Sequence, residues 1–250
     1  MFKVGDYVTR KKYNNDILFR IDKIENNKII LSGVDLRLYA ESKSDDLVLS
    51  SIRKDKEEYG LVRKLDDSNY FYLPGVILHI DSDKNYLEKC LNFYKKHKLK
   101  CYSYIYKESE YPNVIEKLVR KHNPDIVVIT GHDAYFKKED KYKNSIYFEE
   151  CVKKIVNINN DLIIISGACQ SDFISLIKAG SSYASSPSHI NIHALDPAII
   201  AAYIALSDRE KEINLEEILS KTKYGSDGIG GIKTNGVMKI GTPRKDKNWI

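Results

Sequence analysis

Two segments of this chain are built alike, and together they commit much of it to a parallel sheet. Each is a short β-branched run that stops at a reactive side chain: Asp125-Ile-Val-Val-Ile-Thr-Gly-His132-Asp133 and Asp161-Leu-Ile-Ile-Ile-Ser-Gly-Ala-Cys169-Gln170. The runs are too short and too branched for helices and lack polar alternation, so they read as strands buried on both faces. Small residues close each run and permit a tight turn, so His132 and Cys169 are expected to emerge at the carboxyl edge of the sheet. Open α/β sheets place their ligands and chemistry at that edge. A histidine and a cysteine on neighbouring strand ends can form a thiolate nucleophile and its proton acceptor. A cysteine peptidase is the first reading.

The flanking sequence supplies the units such a sheet needs. The spacing predicts strands at 75–81 and 100–106, then the His132 and Cys169 strands, then a short fifth strand at 181–187. Helices are expected at 84–98, 111–122, 146–157 and 171–179, which makes βαβ units with right-handed crossovers. Pro197 sits well as the first residue of a further helix to about residue 206, apolar enough to be core or a dimer surface. The stretch Gly225-Ser-Asp-Gly-Ile-Gly-Gly231 reads as a mobile glycine-rich loop, since it lacks GxGxxG and follows no strand. Residues 1–58 differ in texture. Short alternating runs around Tyr7, Phe19 and Ile30, separated by polar turns at 13–16 and 25–28, predict an antiparallel meander, most simply a small SH3-like barrel. Its expected roles are packing or partner docking, with nucleic-acid binding the lesser alternative. The charged stretch at 53–59 reads as a linker to the second domain, placed at 70–250.

Composition excludes several classes. The net charge of +5 is spread among acidic residues, with no basic patch of the kind nucleic acids require. No stretch approaches the roughly 18 apolar residues of a membrane span, and the opening residues hold no signal-peptide core. The four cysteines (Cys90, Cys101, Cys151 and Cys169) are far apart and include no CxxC pair, which argues against a disulfide framework or zinc knuckle and for a reducing interior. A cytoplasmic location is the expectation. No HExxH, carboxylate triplet or GxxxxGK[ST] calls for a metal or a nucleotide, and no cofactor is expected.

Among the candidates, Cys169 alone of the cysteines stands at a strand-to-helix junction. Main-chain N–H groups and a helix start there can stabilise a thiolate and hold an oxyanion, with Gly131 and Ala168 at the two corners. His132 is the expected general base. His193 is its rival, because it lies downstream of the nucleophile in Asn191-Ile-His-Ala-Leu-Asp196. Asp133 and Asp172 adjoin the corners and can cap helices or orient His132.

The order of these features resembles the caspase-like (clan CD) cysteine peptidases, which carry a His-Gly-type corner after the third strand and an Ala-Cys corner after the fourth. Here Asp133, not glycine, follows His132. A closer resemblance, over essentially the whole chain, is to the sporulation-specific protease YabG family. It rests on Thr-Gly-His-Asp-Ala (130–134), Ser-Gly-Ala-Cys-Gln-Ser (166–171), and Ala-Ser-Ser-Pro followed by Asn-Ile-His-Ala-Leu-Asp-Pro (184–197). The fold expected is α/β, a caspase-like mostly parallel sheet flanked by helices after a small N-terminal SH3-like barrel.

The resemblance implies a peptidase of the mother cell associated with the forming spore coat. It implies protein substrates (coat and germination-related proproteins), cleavage after arginine, and self-cleavage. Arginine specificity needs a carboxylate that pairs bidentately with guanidinium. The resemblance to the caspase-like clan makes Asp81, at the end of the first strand, the first candidate for it; Asp196, which follows the fifth-strand region near the site, is the second, and a solvated loop acid is the ordinary role of either. Two other readings stay open: a cysteine amidohydrolase of small amides, although Gly167-Ala-Cys-Gln-Ser171 lacks the second glycine of a GxCxG elbow, and a non-catalytic coat-associated scaffold.

Overall fold

The computed structural model describes residues 2–25, 28–50, 65 and 70–242. The expected linker at 53–59 and the turn residues 26–27 lie outside them. The chain divides into two compact units, Met1–Tyr59 and Gly60–Ile250.

The first unit is a five-stranded antiparallel sheet. Its strands are β1 (Tyr7–Arg10), β2 (Phe19–Glu25), β3 (Lys28–Gly33), β4 (Tyr39–Ser42) and β5 (Leu47–Leu49), in the order β4-β3-β2-β1-β5. The last strand returns to pair with the first, Val8 opposite Leu49, as the barrel reading requires. Alternation places Val8, Phe19, Ile21, Ile29, Leu31 and Leu47 together in one small core.

The second unit opens with β6 (Phe71–Leu73) and then alternates strands and helices: β7 (Ile77–Asp81), α1 (Lys84–Lys96), β8 (Cys101–Ile105), α2 (Tyr111–His122) and β9 (Ile126–Ile129). A hairpin of β10 (Tyr135–Phe136) and β11 (Lys141–Tyr142) follows, then α3 (Ser145–Ile158), β12 (Ile163–Ser166), α4 (Phe173–Ala179) and β13 (Tyr183–Ser185). The chain closes through α5 (Asp196–Ala205), α6 (Leu215–Ser220), β14 (Ile229–Gly231) and β15 (Lys239–Gly241). Six strands form one sheet in the order β14-β13-β12-β9-β7-β8. Five run parallel and β14 runs antiparallel at the edge.

The two β-branched runs are the neighbouring central strands β9 and β12, paired from Ile126–Ile163 to Ile129–Ser166. Both are wholly buried because helices cover both faces: α2, α3 and α4 pack on one side, and α1 and α5 on the other. Alternate residues divide between the faces. Leu78, Ile80, Val127, Ile129 and Ile164 join the core under α2 to α4, whereas His79 turns towards Tyr94 of α1. Helix α5 is buried along its whole length, which makes it core within this unit. Each of its isoleucines contributes roughly 1.5–3 kcal/mol by leaving water.

The glycine-rich stretch differs from its expected form. Gly225–Asp227 is a short 3-10 turn and Ile229–Gly231 is a strand that zips onto β13, with register Tyr183–Gly231 and Ser185–Ile229. Three residues with two glycines carry no period-2 signal; the open edge of β13 supplies the partner that makes them a strand. For the same reason the pairs β10–β11 and β6–β15 had no signature in the sequence.

Candidate active site

The carboxyl ends of β9 and β12 carry the His132 and Cys169 corners side by side, because their register brings Ile129 opposite Ser166. Each corner turns for its own reason. Gly167 has φ +102°, a left-handed conformation that side chains rarely adopt, and a Cβ there would lie 3.0 Å from Leu176 Cδ1. Gly131 is required by crowding: a Cβ would meet Glu108 Oε1 at 2.9 Å and Ser82 Oγ at 3.0 Å.

That crowding comes from contacts that hold the His132 corner. Glu108, in the 3-10 turn Glu108–Glu110 after β8, accepts hydrogen bonds from the His132 main-chain N–H at 2.8 Å and from Ser82 Oγ at 2.5 Å. On the other side, Asn144 Nδ2 donates to the His132 carbonyl at 2.7 Å. The His132 backbone is therefore pinned at both ends. Its ring faces helix α1: Nε2 lies 3.4 Å from Asp83 Oδ2, and the Tyr86 ring stands 5.8 Å away, tilted.

Cys169 is buried, and its sulfur meets the chain just before α5. The Ile192 N–H donates to Sγ at 3.2 Å, and the Ile192 carbonyl lies 4.0 Å from the sulfur. The N–H offers a donor to a thiolate, and the carbonyl offers an acceptor to the neutral thiol. Ala168, also buried, donates its N–H to Ser171 Oγ at 2.9 Å, so it holds the corner rather than facing a ligand.

A polar strap joins the corners. Asp133 accepts from the main-chain N–H groups of Ala134 (2.8 Å) and Asn144 (2.7 Å) through Oδ1. Its Oδ2 accepts from Ser145 Oγ and, at 3.0 Å, from Ser171 Oγ, two residues beyond the cysteine. Ser145 Oγ in turn accepts from the Asp172 N–H at 2.8 Å. Asp172 caps α4 by accepting from Ser175 N. A second tie runs from the Tyr135 N–H to Gln170 Oε1 at 3.3 Å. Burial raises the Asp133 carboxyl above its ordinary value, although its four hydrogen bonds pull the other way.

The remaining candidates fall around this centre. His193 is buried one residue beyond the Ile192 that touches sulfur, and its Nδ1 accepts from the Leu195 N–H at 3.3 Å. Asp196, the first residue of α5, is fully buried and accepts from the Lys223 N–H at 2.9 Å. Asp81 is fully buried at the end of β7. Thr130 Oγ1 donates to its Oδ2 at 2.6 Å and the Asp83 N–H to its Oδ1 at 2.9 Å, so both oxygens serve the interior. Sequence reasoning missed Asp83, Glu108, Ser145, Ser171 and Ile192. Only Asp83 had a signal, as an aspartate just before a helix start. Among the described residues no helix is long and apolar enough to cross a membrane.

Comparison with known proteins agrees with the resemblance in the motifs. A family model described as YabG peptidase U57 matches residues 3–64 and 51–243. The sporulation-specific protease YabG of Bacillus subtilis (strain 168) is 42% identical over 289 aligned residues, covering 98% of this chain and 99% of that protein. With both units and both corners inside the matched region, the chain belongs to the YabG peptidase U57 family.

Proposed function

We propose that this peptidase is a cysteine endopeptidase of sporulation, working through Cys169 and His132. The observation that carries the reading is the placement of both residues on adjacent carboxyl corners of two paired parallel strands, strapped together through Asp133 and Ser171. The Cys169 thiolate attacks the scissile carbonyl carbon, and the oxyanion is held by main-chain N–H groups near Gly131 and Cys169. The C–N bond then breaks, and His132 gives its proton to the departing amine. Water, deprotonated by His132, hydrolyses the thioester and releases the thiol and the acid.

The substrates we infer are coat and germination-related proproteins in the mother cell at the forming coat, cut after arginine, with self-cleavage a further outcome. An arginine pocket needs a carboxylate. Because the oxygens of Asp81 serve Thr130 and Asp83, Asp196 is the first residue to test in that role. Wild type and the variants Cys169→Ala, His132→Ala, His193→Ala, Asp81→Asn and Asp196→Asn should be incubated with an arginine-containing peptide library and read by mass spectrometry. Cleavage after arginine is expected from wild type and abolished in the first two. Cleavage that survives His132→Ala but not His193→Ala would move the base to His193. Hydrolysis of small amides alone, or of nothing by folded wild type, would replace the proposal with an amidohydrolase or a scaffold.

A further inference from the structure

The carboxylate beside the His132 ring belongs to neither of the motifs that carry the two corners. Asp83 is 7% exposed and divides its oxygens between two tasks. Oδ1 caps α1 by accepting from Asn85 N (2.8 Å) and Tyr86 N (3.1 Å), while Oδ2 stands 3.4 Å from His132 Nε2. A side chain anchored to a helix terminus has little rotamer freedom left, so the second oxygen is presented to the imidazole at a set place.

Behind it runs a buried chain of polar groups. The Asp83 N–H donates to Asp81 Oδ1, and Thr130 Oγ1 donates to Asp81 Oδ2. Having one proton, the Thr130 hydroxyl then accepts from His79 Nε2 at 2.9 Å, and His79 Nδ1 meets the Tyr94 hydroxyl at 3.1 Å. Residues of β7, the β9 corner and α1 are thereby tied into one rigid assembly ending at the His132 ring.

We propose that Asp83 is the positioning carboxylate of His132, held in place by Asp81; this rests on the reading of His132 as the proton carrier for Cys169. Glu108 and Asn144 fix the His132 backbone, and Asp83 fixes its ring. With Nε2 at ion-pair distance from the Asp83 carboxylate, the imidazole exchanges its proton with the thiol through Nδ1, and the carboxylate stabilises the imidazolium that forms. The other ionisable groups around the ring point elsewhere: Glu108 to the His132 amide and Ser82, Asp133 to Ser145 and Ser171, and Asp81 to Thr130 and the Asp83 amide. Tyr86 offers its ring face, and Cys169 stands on the next corner.

The discriminating substitution is Asp83→Asn, because asparagine caps a helix as well as aspartate does but carries no charge. In the full chain with Cys169→Ala, the tautomer of the neutral His132 ring is read from its ring nitrogen shifts by NMR at alkaline pH. The expected result is the Nε2–H tautomer, lost on Asp83→Asn because the amide that caps α1 through its oxygen turns its N–H group to the ring, with thermal stability retained. In the active background, kcat falls while KM changes little. Asp83→Ala should lower stability as well, and Asn should restore stability without restoring activity. An unchanged His132 tautomer in a folded Asp83→Asn protein overturns the proposal. So does an Nδ1–H tautomer of His132 in the Cys169→Ala chain, a measurement that needs no change at Asp83. The tautomer is independent of turnover, so it judges Asp83 even if His132→Ala retains cleavage and the choice of base fails.

Discussion

At the scale of single residues, the four cysteines separate by where the chain puts them. Cys90 and Cys151 lie on the buried faces of α1 and α3, and Cys101 begins β8. Burial pushes the Cys101 thiol up to about 12, with a further push from Cys90, and burial also drives Cys151 upward. At Cys169 the Ile192 main-chain N–H addresses the sulfur from across the site, whereas at Cys101 burial outweighs the main-chain hydrogen bond from His79. A small alkylating reagent such as iodoacetamide, applied to the native protein at neutral pH and read by peptide mapping, should therefore mark Cys169 and leave Cys101 and Cys151 untouched. Modification of Cys151 ahead of Cys169 would contradict this ordering. The singling out of Cys169 was legible in sequence, since it alone follows Ser-Gly-Ala at the end of a β-branched run. The Ile192 contact was not, because 23 positions separate it from the sulfur it touches.

Between elements, the decisive feature is the strap through Asp133. Burial raises its folded pKa above the ordinary 3.8, so the native state holds the Asp133 proton more tightly than the unfolded chain does. The stability contributed by that proton is fully present below pH 3.8 and is lost as pH rises through the folded value. Compared with Asp133→Asn, wild type should show its greatest relative stability at acid pH and lose ground above it, in denaturant unfolding measured across the acid range. A difference that grows with pH would show that the hydrogen bonds from Ser145 and Ser171 outweigh burial. The strands and helices that build the corners were readable to within a few residues, because each has a long apolar signal of its own. The strap was not: short polar side chains at 133, 145 and 171 look like any turn or helix start until the strand register brings them together.

For the molecule as a whole, every residue assigned a part in catalysis lies in the unit Gly60–Ile250, and the five-stranded unit Met1–Tyr59 closes its own core. The segment 60–250 produced alone should therefore cleave short peptides with the kcat/KM of the full chain, while losing efficiency on protein substrates if the small barrel serves to dock them. Equal loss on peptides and proteins would make the barrel part of the site. Hydrophobic pattern, β-branched runs and small-residue stops are local properties, and they were enough to name the parallel sheet, its crossover helices, the antiparallel meander, and Cys169 and His132 as the residues at the strand ends. Which carboxylate faces His132, which hydroxyls strap the corners, and which amide meets the sulfur were settled by folding alone. Hydrogen bonds reach only about 3 Å, and a sequence holds no record of which distant polar groups the packed sheet will bring within that distance.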